Sequence, residues 1–508
     1  METATISNNK RIAKNTIMLY IRMLLIMAVT LYTSRVVLEV LGVEDFGIYN
    51  IVGGIVILFS FVNNAMATAT QRFLNFELGR NNIKEAERVF SMSLTAHISI
   101  ALLVLFLAET IGLWFLLTQM NIPDGRMKAA IWCYQFSILT TCIQILRVPY
   151  NACIIAYEKM SFYAYISILE VILRLVIVFL LCIGGFDRLI LYSILMCLVG
   201  LVICYVYKIT CNRNFLISKY HFFWDKMLYR KLMSFSGWSL FGSAANAGAQ
   251  QGLNILLNIF CGVTVNAAMG ITNQVTTAVY SFVSSFQTAF NPQLVKSYAS
   301  GDKEYFTNLI FQTSKFSFFL LLFISLPFLL ECEFVLSIWL KEVPEHAVQF
   351  TQLMLIFLMI DAISAPLWIS VQAIGNIRNY QLLMSFLILL NLPFSYLALY
   401  QGYKPETILI IRVIINFITF LVRIVYLKKR ISFPANKYIK EVLGVIVLVL
   451  ILSVPVPMWV YQLYSSWEGF ILTTITSILC VSVITFLIGL TKVEKVYIRN
   501  IIRNKFKR

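Results

Sequence analysis

Two arginines interrupt the first long apolar run of the chain. Arg22 lies about two helical turns into this run, and Arg35 lies near its far end. A guanidinium stays protonated in proteins, and its planar N–H groups match phosphate oxygens in paired hydrogen bonds. The two residues therefore predict a diphosphate-binding site in a solvated cavity. The alternative is that either arginine anchors its helix at a membrane interface.

A second group of charges lies in the fifth apolar run. Glu170 and Arg174 are four residues apart, so they share one face of a helix and can pair. Ionisable residues within membrane helices are rare and usually functional or paired. The spacing predicts either a structural ion pair or a charge relay that is gated during a transport cycle.

A single carboxylate lies near the centre of the tenth apolar run. Asp361 precedes Pro366 by five residues, and proline is expected to kink the helix there. A midplane carboxylate beside a helix break predicts a site for a coupling cation, either a proton or Na⁺. The alternative is that Asp361 pairs with an arginine from another helix. Arg412 is expected to reach the headgroups at the outer face.

Amide side chains recur every four residues in the seventh apolar run and continue into the eighth. They donate and accept hydrogen bonds at once, which suits sugar hydroxyls. We interpret them as the lining of a sugar-binding cavity, and the alternative is that they cement close helix packing. The residues are Asn246, Gln250, Asn254, Asn258 and, in the eighth run, Asn273.

The elements that position these side chains must be membrane helices. Hydrophobic residues make up 59% of the 508-residue chain and charged residues only 13%, far below the roughly 25% of a soluble domain. A helix needs about 20 apolar residues to cross the hydrocarbon. The sequence therefore predicts an all-α polytopic membrane protein with about 14 spans. They are placed at 16–38, 46–70, 89–117, 127–146, 163–183, 189–209, 234–260, 267–290, 309–330, 348–371, 380–400, 407–427, 442–461 and 470–490.

The basic residues predict the orientation of these spans. When residues near the ends of spans are counted with the adjoining connections, 32 of the 41 Lys and Arg residues face one side if the spans alternate. Five face the opposite side and four lie deeper within spans. Because cytoplasmic loops carry the excess of Lys and Arg, both termini are predicted to be cytoplasmic. The charges form short clusters between apolar runs, which does not indicate a nucleic-acid partner and favours anionic membrane lipids.

Basic connections and an internal repeat divide the chain. We predict an N-terminal six-helix bundle at 1–209, an amphipathic cytoplasmic linker at 210–233, a C-terminal six-helix bundle at 234–430, and two further helices with a basic tail at 431–508. LGVEDFGIYN, from Leu41, aligns with CGVTVNAAMG, from Cys261. An offset of 220 to 222 residues holds across two helices and a loop. The two bundles are therefore interpreted as parallel repeats.

With these residues in view, the chain resembles the polysaccharide flippases of the multidrug/oligosaccharidyl-lipid/polysaccharide (MOP) exporter superfamily, the O-antigen flippase type. The likeness rests on LGVEDFGIYN after the first span, TQRFLNFELGRNN after the second and NPQLVKSYASGDKE after the eighth. It implies a V-shaped pair of bundles in a bacterial inner membrane. It also implies alternating access that turns a polyprenyl-diphosphate-linked oligosaccharide from the inner to the outer leaflet. Cationic cavity residues on the first helix, as Arg22 and Arg35 would be, are typical of this branch.

Two other functions remain open at this stage. A cation-coupled multidrug antiporter of the same fold would be expected to have a net acidic cavity. A membrane enzyme that polymerises or transfers lipid-linked sugars would be expected to carry catalytic residues on a sizeable loop. Because the sequence lacks a Walker loop, GxSxG and metal-spaced His/Cys sets, we predict a transporter without a cofactor and with no catalytic residues. A polysaccharide polymerase and glycosyltransferases are the expected pathway partners.

Overall fold

The computed structural model describes residues 2–120, 122–181, 187–340, 342–464, 467–492 and 494–496. Over these residues the secondary structure is helical, without strands. Apolar sequences that enter a membrane must satisfy their backbone hydrogen bonds internally, and helices achieve this within one segment. The α-helices are α1 Glu2–Gly79, α2 Ile83–Leu107, α3 Leu113–Gln119, α4 Met127–Ala156, α5 Met160–Leu180, α6 Arg188–Asn214, α7 Lys226–Ala299, α8 Lys303–Leu330, α9 Cys332–Trp339, α10 Ala347–Ile374, α11 Arg378–Leu389, α12 Asn391–Tyr400, α13 Glu406–Ile431, α14 Ala435–Tyr438, α15 Gly444–Ser453, α16 Pro455–Leu463 and α17 Trp467–Ile484.

The described helices confirm the predicted all-α membrane fold. Twelve helical segments among the described residues are long and apolar enough to cross a membrane. One of them, α7, is 74 residues long and bends at Gly262, so each of its arms exceeds the roughly 20 residues that a crossing needs. The second arm of α1, after a similar bend at Gly42, is also long enough. Each predicted span therefore has a helical segment at its position.

The two bends have the same backbone conformation. Gly42 has φ 78° and ψ 167°, and Gly262 has φ 84° and ψ −176°. This region of positive φ and extended ψ is open essentially to glycine alone. The two glycines are 220 residues apart, which is the offset of the sequence repeat. The conformation that ends the first arm of each long helix thus recurs at equivalent positions.

The connection between α6 and α7 is shorter than the predicted linker at 210–233. Helix α6 runs to Asn214, a 3₁₀ turn covers Leu216–Ser218, and α7 begins at Lys226 with Asp225 as its N-cap. Ile217 is buried, whereas the apolar side chains of Leu216, Phe222 and Trp224 are exposed. The predicted basic tail from Lys492 lies almost wholly outside the described residues.

The described chain divides into two compact units. Unit 1 comprises residues 1–244, 288–302 and 372–381, and unit 2 comprises 245–287, 303–371 and 382–508. Both units are discontinuous, because the C-terminal ends of α7 and α10 belong to unit 1. Each predicted domain is one continuous range of the sequence, and the predicted boundaries stay a prediction.

A buried carboxylate in unit 1 ties three helix ends together. Glu158 follows the C-terminus of α4, and its side chain is 1% exposed. It accepts hydrogen bonds from Lys296 Nζ, at 2.7 Å, and from the Gln293 amide, and it pairs with Arg11 Nε at 2.7 Å. Its backbone carbonyl accepts from the Asn15 amide at 3.2 Å. One carboxylate therefore holds α1 and the end of α7 to the end of α4.

A buried arginine caps the C-terminus of α10 in the same unit. Arg72 donates to the carbonyls of Gln372, at 3.2 Å, and Ala373, at 2.9 Å, and it stacks on the rings of Phe73 and Phe76. The last carbonyls of a helix have no partner within the helix, and a cation placed there satisfies them. Arg72 thereby fixes the end of α10 against α1.

Gly375→Ala tests this cap, since Gly375 has φ +94° and a Cβ there would meet the Arg72 guanidinium. Gly402 also has positive φ, +79°, but nothing within 4 Å of its Cβ position, so Gly402→Ala is the matched control. Left-handed strain costs roughly 1–2 kcal/mol in both variants. Gly375→Ala should cost about 1.5 kcal/mol more, because Arg72 must give up a charge-assisted hydrogen bond. Equal free energies of unfolding for the two variants would contradict the cap.

A charge cluster around Arg126 joins three segments of unit 1. Arg126 donates to Asp45, at 2.8 Å, and to Asp187, the N-cap of α6. Partial burial acts to raise the pKa of Asp187, but the hydrogen bonds from Arg126 and from the first amides of α6 outweigh it. The pKa of Asp187 therefore lies below its usual value, and its carboxylate stays ionised beside Arg126 at neutral pH.

Candidate functional site

Unit 1 carries a cluster of charges within its membrane helices. The Glu170 carboxylate on α5 accepts from Arg174 Nη2 at 2.6 Å, as the four-residue spacing predicted. Its second oxygen accepts from Arg147 Nη1, on α4, at 2.8 Å. One carboxylate is thus shared by two guanidiniums, and the group is an ion triad, whereas the sequence indicated a pair.

Arg22 lies beside this triad. Its guanidinium stacks over the Tyr163 ring, with Cζ 4.3 Å from the ring centroid, and Arg147 stacks over the Tyr207 ring at 5.5 Å. Arg22 Nε is buried and has no hydrogen-bond partner among the described residues. Arg22 together with the triad amounts to three guanidiniums and one carboxylate, so this group of side chains carries two positive charges in excess.

Arg147 is the member of this cluster that sequence reasoning missed. The predicted fourth span ends at 146, which leaves Arg147 in the connection that follows, but α4 continues to Ala156. The sequence after Arg147 is VPYNACIIA, which is apolar enough to have indicated a longer helix. In a sequence, an arginine near the end of a helix cannot be distinguished from one just beyond it. The charge pattern alone therefore places Arg147 in the connection.

Arg35 does not join Arg22 in this structure. Its side chain is exposed, and it lies 13 residues further along α1. At 1.5 Å per residue this separates the two positions by about 20 Å along the helix axis. The structure therefore does not bring the two predicted diphosphate ligands to one point.

Unit 2 contains a cavity of about 50 Å³. Two of the predicted amides, Asn246 and Gln250 on α7, line it together with Asp361 on α10. Asn391, at the start of α12, and Asn416 on α13 add two buried amides. The cavity thus joins the predicted sugar-binding stripe to the predicted coupling carboxylate.

Two arginines of α13 line the same cavity. Arg412 is only 8% exposed and stacks over the Phe357 ring at 4.7 Å, so the expectation that it reaches the headgroups is wrong. Arg423 lies within α13, as the predicted span 407–427 implies, and donates to the Ser364 hydroxyl. Helix α10 passes through Pro366 without interruption, so the break expected beside Asp361 is absent.

The remaining predicted amides lie away from the cavity lining. Asn254 donates to the neighbouring Gln251 side chain at 3.1 Å, and Asn258 is exposed. Asn273 is half-buried, and its backbone carbonyl accepts from the Thr276 and Thr277 hydroxyls. The stripe therefore divides, with only its first two members at the cavity.

Comparisons with known proteins agree with this architecture. Residues 239–397 match the MatE family model, which covers α7 to most of α12. An outward-facing structure of a multidrug resistance MATE family transporter of the MOP superfamily is 14% identical, with a TM-score of 0.70, over 82% of this chain and 96% of that one. A MATE structure in the straight conformation is 16% identical, with a TM-score of 0.71, over 84% and 96%. The chain has the fold of the MATE transporters.

A third similar structure is described in terms of charge. It is a MOP superfamily transporter from Pyrococcus furiosus Vc1 (DSM3638), for which reverse polarity of the binding pocket suggests a different function. It is 15% identical, with a TM-score of 0.68, over 82% of this chain and 96% of that one. No curated protein sequence matches this chain. At sequence identities this low, the structural similarity establishes the fold alone. The substrate must be inferred from the residues of the site.

Proposed function

We propose that the protein is a flippase that moves a polyprenyl-diphosphate-linked oligosaccharide from the inner to the outer leaflet of a bacterial inner membrane by alternating access. Both termini are cytoplasmic in this proposal, as the Lys and Arg distribution predicts. The substrate is a repeat unit of O-antigen, capsule or exopolysaccharide. A polymerase and glycosyltransferases of the same pathway are the proposed partners.

The charge of the unit 1 cluster carries this proposal. Arg147 and Arg174 share one carboxylate and Arg22 lies beside them, so two positive charges remain uncompensated within membrane helices. An uncompensated charge in this environment is costly, and a site that retains it is a functional-site candidate by default. A diphosphate supplies the missing negative charge, and guanidinium groups bind phosphate oxygens in pairs. Arg35 is proposed as a second contact for the diphosphate along α1.

The coupling residues are proposed from both units. Asp361 is proposed to bind the coupling ion, a proton or Na⁺, and the Glu170–Arg174 pair to rearrange during the cycle. The sharing of Glu170 by Arg147 and Arg174 supports a relay, because the carboxylate can exchange one guanidinium for the other without becoming unpaired. The same contacts also suit a structural ion triad. Measuring transport by a Glu170→Asp variant distinguishes the relay from the structural triad.

Reconstituted full-length protein tests the function. In vesicles that carry a labelled undecaprenyl-diphosphate saccharide, the protein should raise the rate at which the label reaches the opposite leaflet. The same saccharide attached directly to a polyprenol, with no phosphate in the linkage, should not move faster, since this neutral lipid lacks the diphosphate. Protein-free vesicles are the baseline. Equal acceleration of both lipids, or of neither, contradicts the proposal.

A cation-coupled multidrug antiporter is the second candidate, because one of the structurally similar proteins is a multidrug resistance transporter and Asp361 could bind a cation. The excess positive charge of both clusters disfavours a cationic drug. Export of a cationic dye that depends on Asp361, measured in the same vesicles, would establish this alternative. New glycosidic bonds made by the purified protein would establish instead a membrane enzyme acting on lipid-linked sugars.

A further inference from the structure

The unit 2 cavity places one carboxylate between two guanidiniums that it does not bind. Arg412 and Arg423 are 11 residues apart on α13, about three turns, so they lie on one helix face roughly 16 Å apart. Arg412 stacks on Phe357 and Arg423 donates to Ser364, which are the residues four before and three after Asp361. Among the described residues, no ion pair within 4.0 Å involves Asp361. Asp361 therefore lies between the two cations at longer range.

The guanidiniums retain unused donors. Arg412 Nη1 and Arg423 Nε are buried and have no hydrogen-bond partner among the described residues. The Arg412 side chain, 8% exposed, lines the cavity. A buried donor without a partner costs its full desolvation penalty, and the penalty is larger for a charged group. An anion that entered the cavity would relieve this penalty at Arg412 and Arg423.

The neutral side chains of the cavity indicate which kind of molecule bears the anionic group. Asn246, Gln250 and Asn391 line the cavity beside the arginines, and Asn391 Oδ1 is buried without a partner. Amides of this kind hydrogen-bond hydroxyl groups, whereas a bare inorganic anion would use few of them. The arginines carry one positive charge in excess of Asp361, which matches a monovalent anion. A sugar that bears one carboxylate fits both features.

We propose that this cavity binds the carboxylate of an acidic sugar, and that Asp361 acts as an internal anion that competes for Arg412 and Arg423. The identity of the physiological ligand, an acidic saccharide of the flipped lipid, rests on the proposed function. The binding itself does not require transport. Loss of the Asp361 charge raises the excess positive charge of the site from one to two, so the bound carboxylate is held more tightly.

The test measures binding of sodium D-glucuronate to the full-length protein in detergent, by thermal unfolding at constant ionic strength. A ligand that binds only the folded state raises the unfolding temperature with its concentration. Glucuronate should stabilise the protein more than equal concentrations of D-glucose or sodium phosphate. Equal stabilisation by glucose would overturn the anion site, and equal stabilisation by phosphate would overturn its specificity for a sugar.

Three variants assign the effect to the cavity. Arg412→Gln should weaken glucuronate binding at least tenfold, whereas Arg430→Gln, an exposed position on the same helix, should leave it unchanged. Asp361→Asn should tighten binding at least tenfold, a gain that misfolding cannot produce. Unchanged or weaker binding by Asp361→Asn would overturn the proposal even if Arg412→Gln fails to fold. Glucuronate binding without lipid flipping would refute the proposed function and leave this site in place, and flipping without binding would do the reverse.

Discussion

Glu158→Gln should destabilise the protein by about 3 kcal/mol. The Glu158 side chain is 1% exposed. It forms ion pairs with Lys296, whose side chain is 23% exposed, and with Arg11, whose side chain is 48% exposed. Glutamine keeps the volume but removes the charge, so the Lys296 ammonium loses its counter-ion. Breaking a fully buried pair costs about 3–5 kcal/mol, and the partial exposure of Lys296 places this pair at the lower end.

Glu85→Gln is the matched control for this prediction. Glu85 also pairs with an arginine, Arg88, but the two side chains are 40% and 46% exposed. Surface pairs contribute roughly 0–1 kcal/mol, so this variant should unfold almost like the wild type. The free energy of unfolding in mixed detergent micelles measures both variants. Similar values for Glu158→Gln and Glu85→Gln would show that the Glu158 contacts do not hold the three helix ends together.

The helices were predictable because the membrane constrains them strongly. Every predicted span has a helix at its position. A long apolar segment in the membrane can satisfy its backbone hydrogen bonds within itself only as a helix. The repeat that aligns LGVEDFG with CGVTVNA places Gly42 and Gly262 at equivalent positions, but no bend was predicted at either glycine. What the repeat could not indicate is the torsion angles of these glycines, which become evident only in three dimensions.

The charged sites were predictable only in part, and the errors have one cause. The predictions place Arg147 in a connection and Arg412 at the headgroups, yet both lie on helices and face a polar partner or a cavity. A sequence shows how far an arginine lies from the end of an apolar run, but not which helix faces it. Glu170–Arg174 was found because both partners lie on one helix, where spacing alone determines contact. Arg147–Glu170 joins two helices, so no spacing rule applies.

The second large effect is expected at Arg22, where Arg22→Gln should slow flipping of the diphosphate-linked saccharide roughly 10- to 100-fold. A charge-assisted hydrogen bond contributes about 1.5–3 kcal/mol, and 1.4 kcal/mol corresponds to a factor of ten. The fold should tolerate the change. Arg22 forms no ion pair with the described residues, and its stacking on Tyr163 contributes only about 1 kcal/mol. The rate is measured in the vesicle assay, and the free energy of unfolding is measured on the same preparation.

Arg35→Gln and Arg430→Gln calibrate this result. Arg35 is exposed and lies about 20 Å along α1 from Arg22, so its loss should slow flipping only a few-fold. Arg430, exposed near the end of α13, should have no effect. A rate for Arg22→Gln equal to that of Arg430→Gln would remove the unit 1 cluster from the substrate path. A loss of stability by several kcal/mol would instead make Arg22 a structural residue, because a diphosphate ligand contributes nothing to the folding of the empty protein.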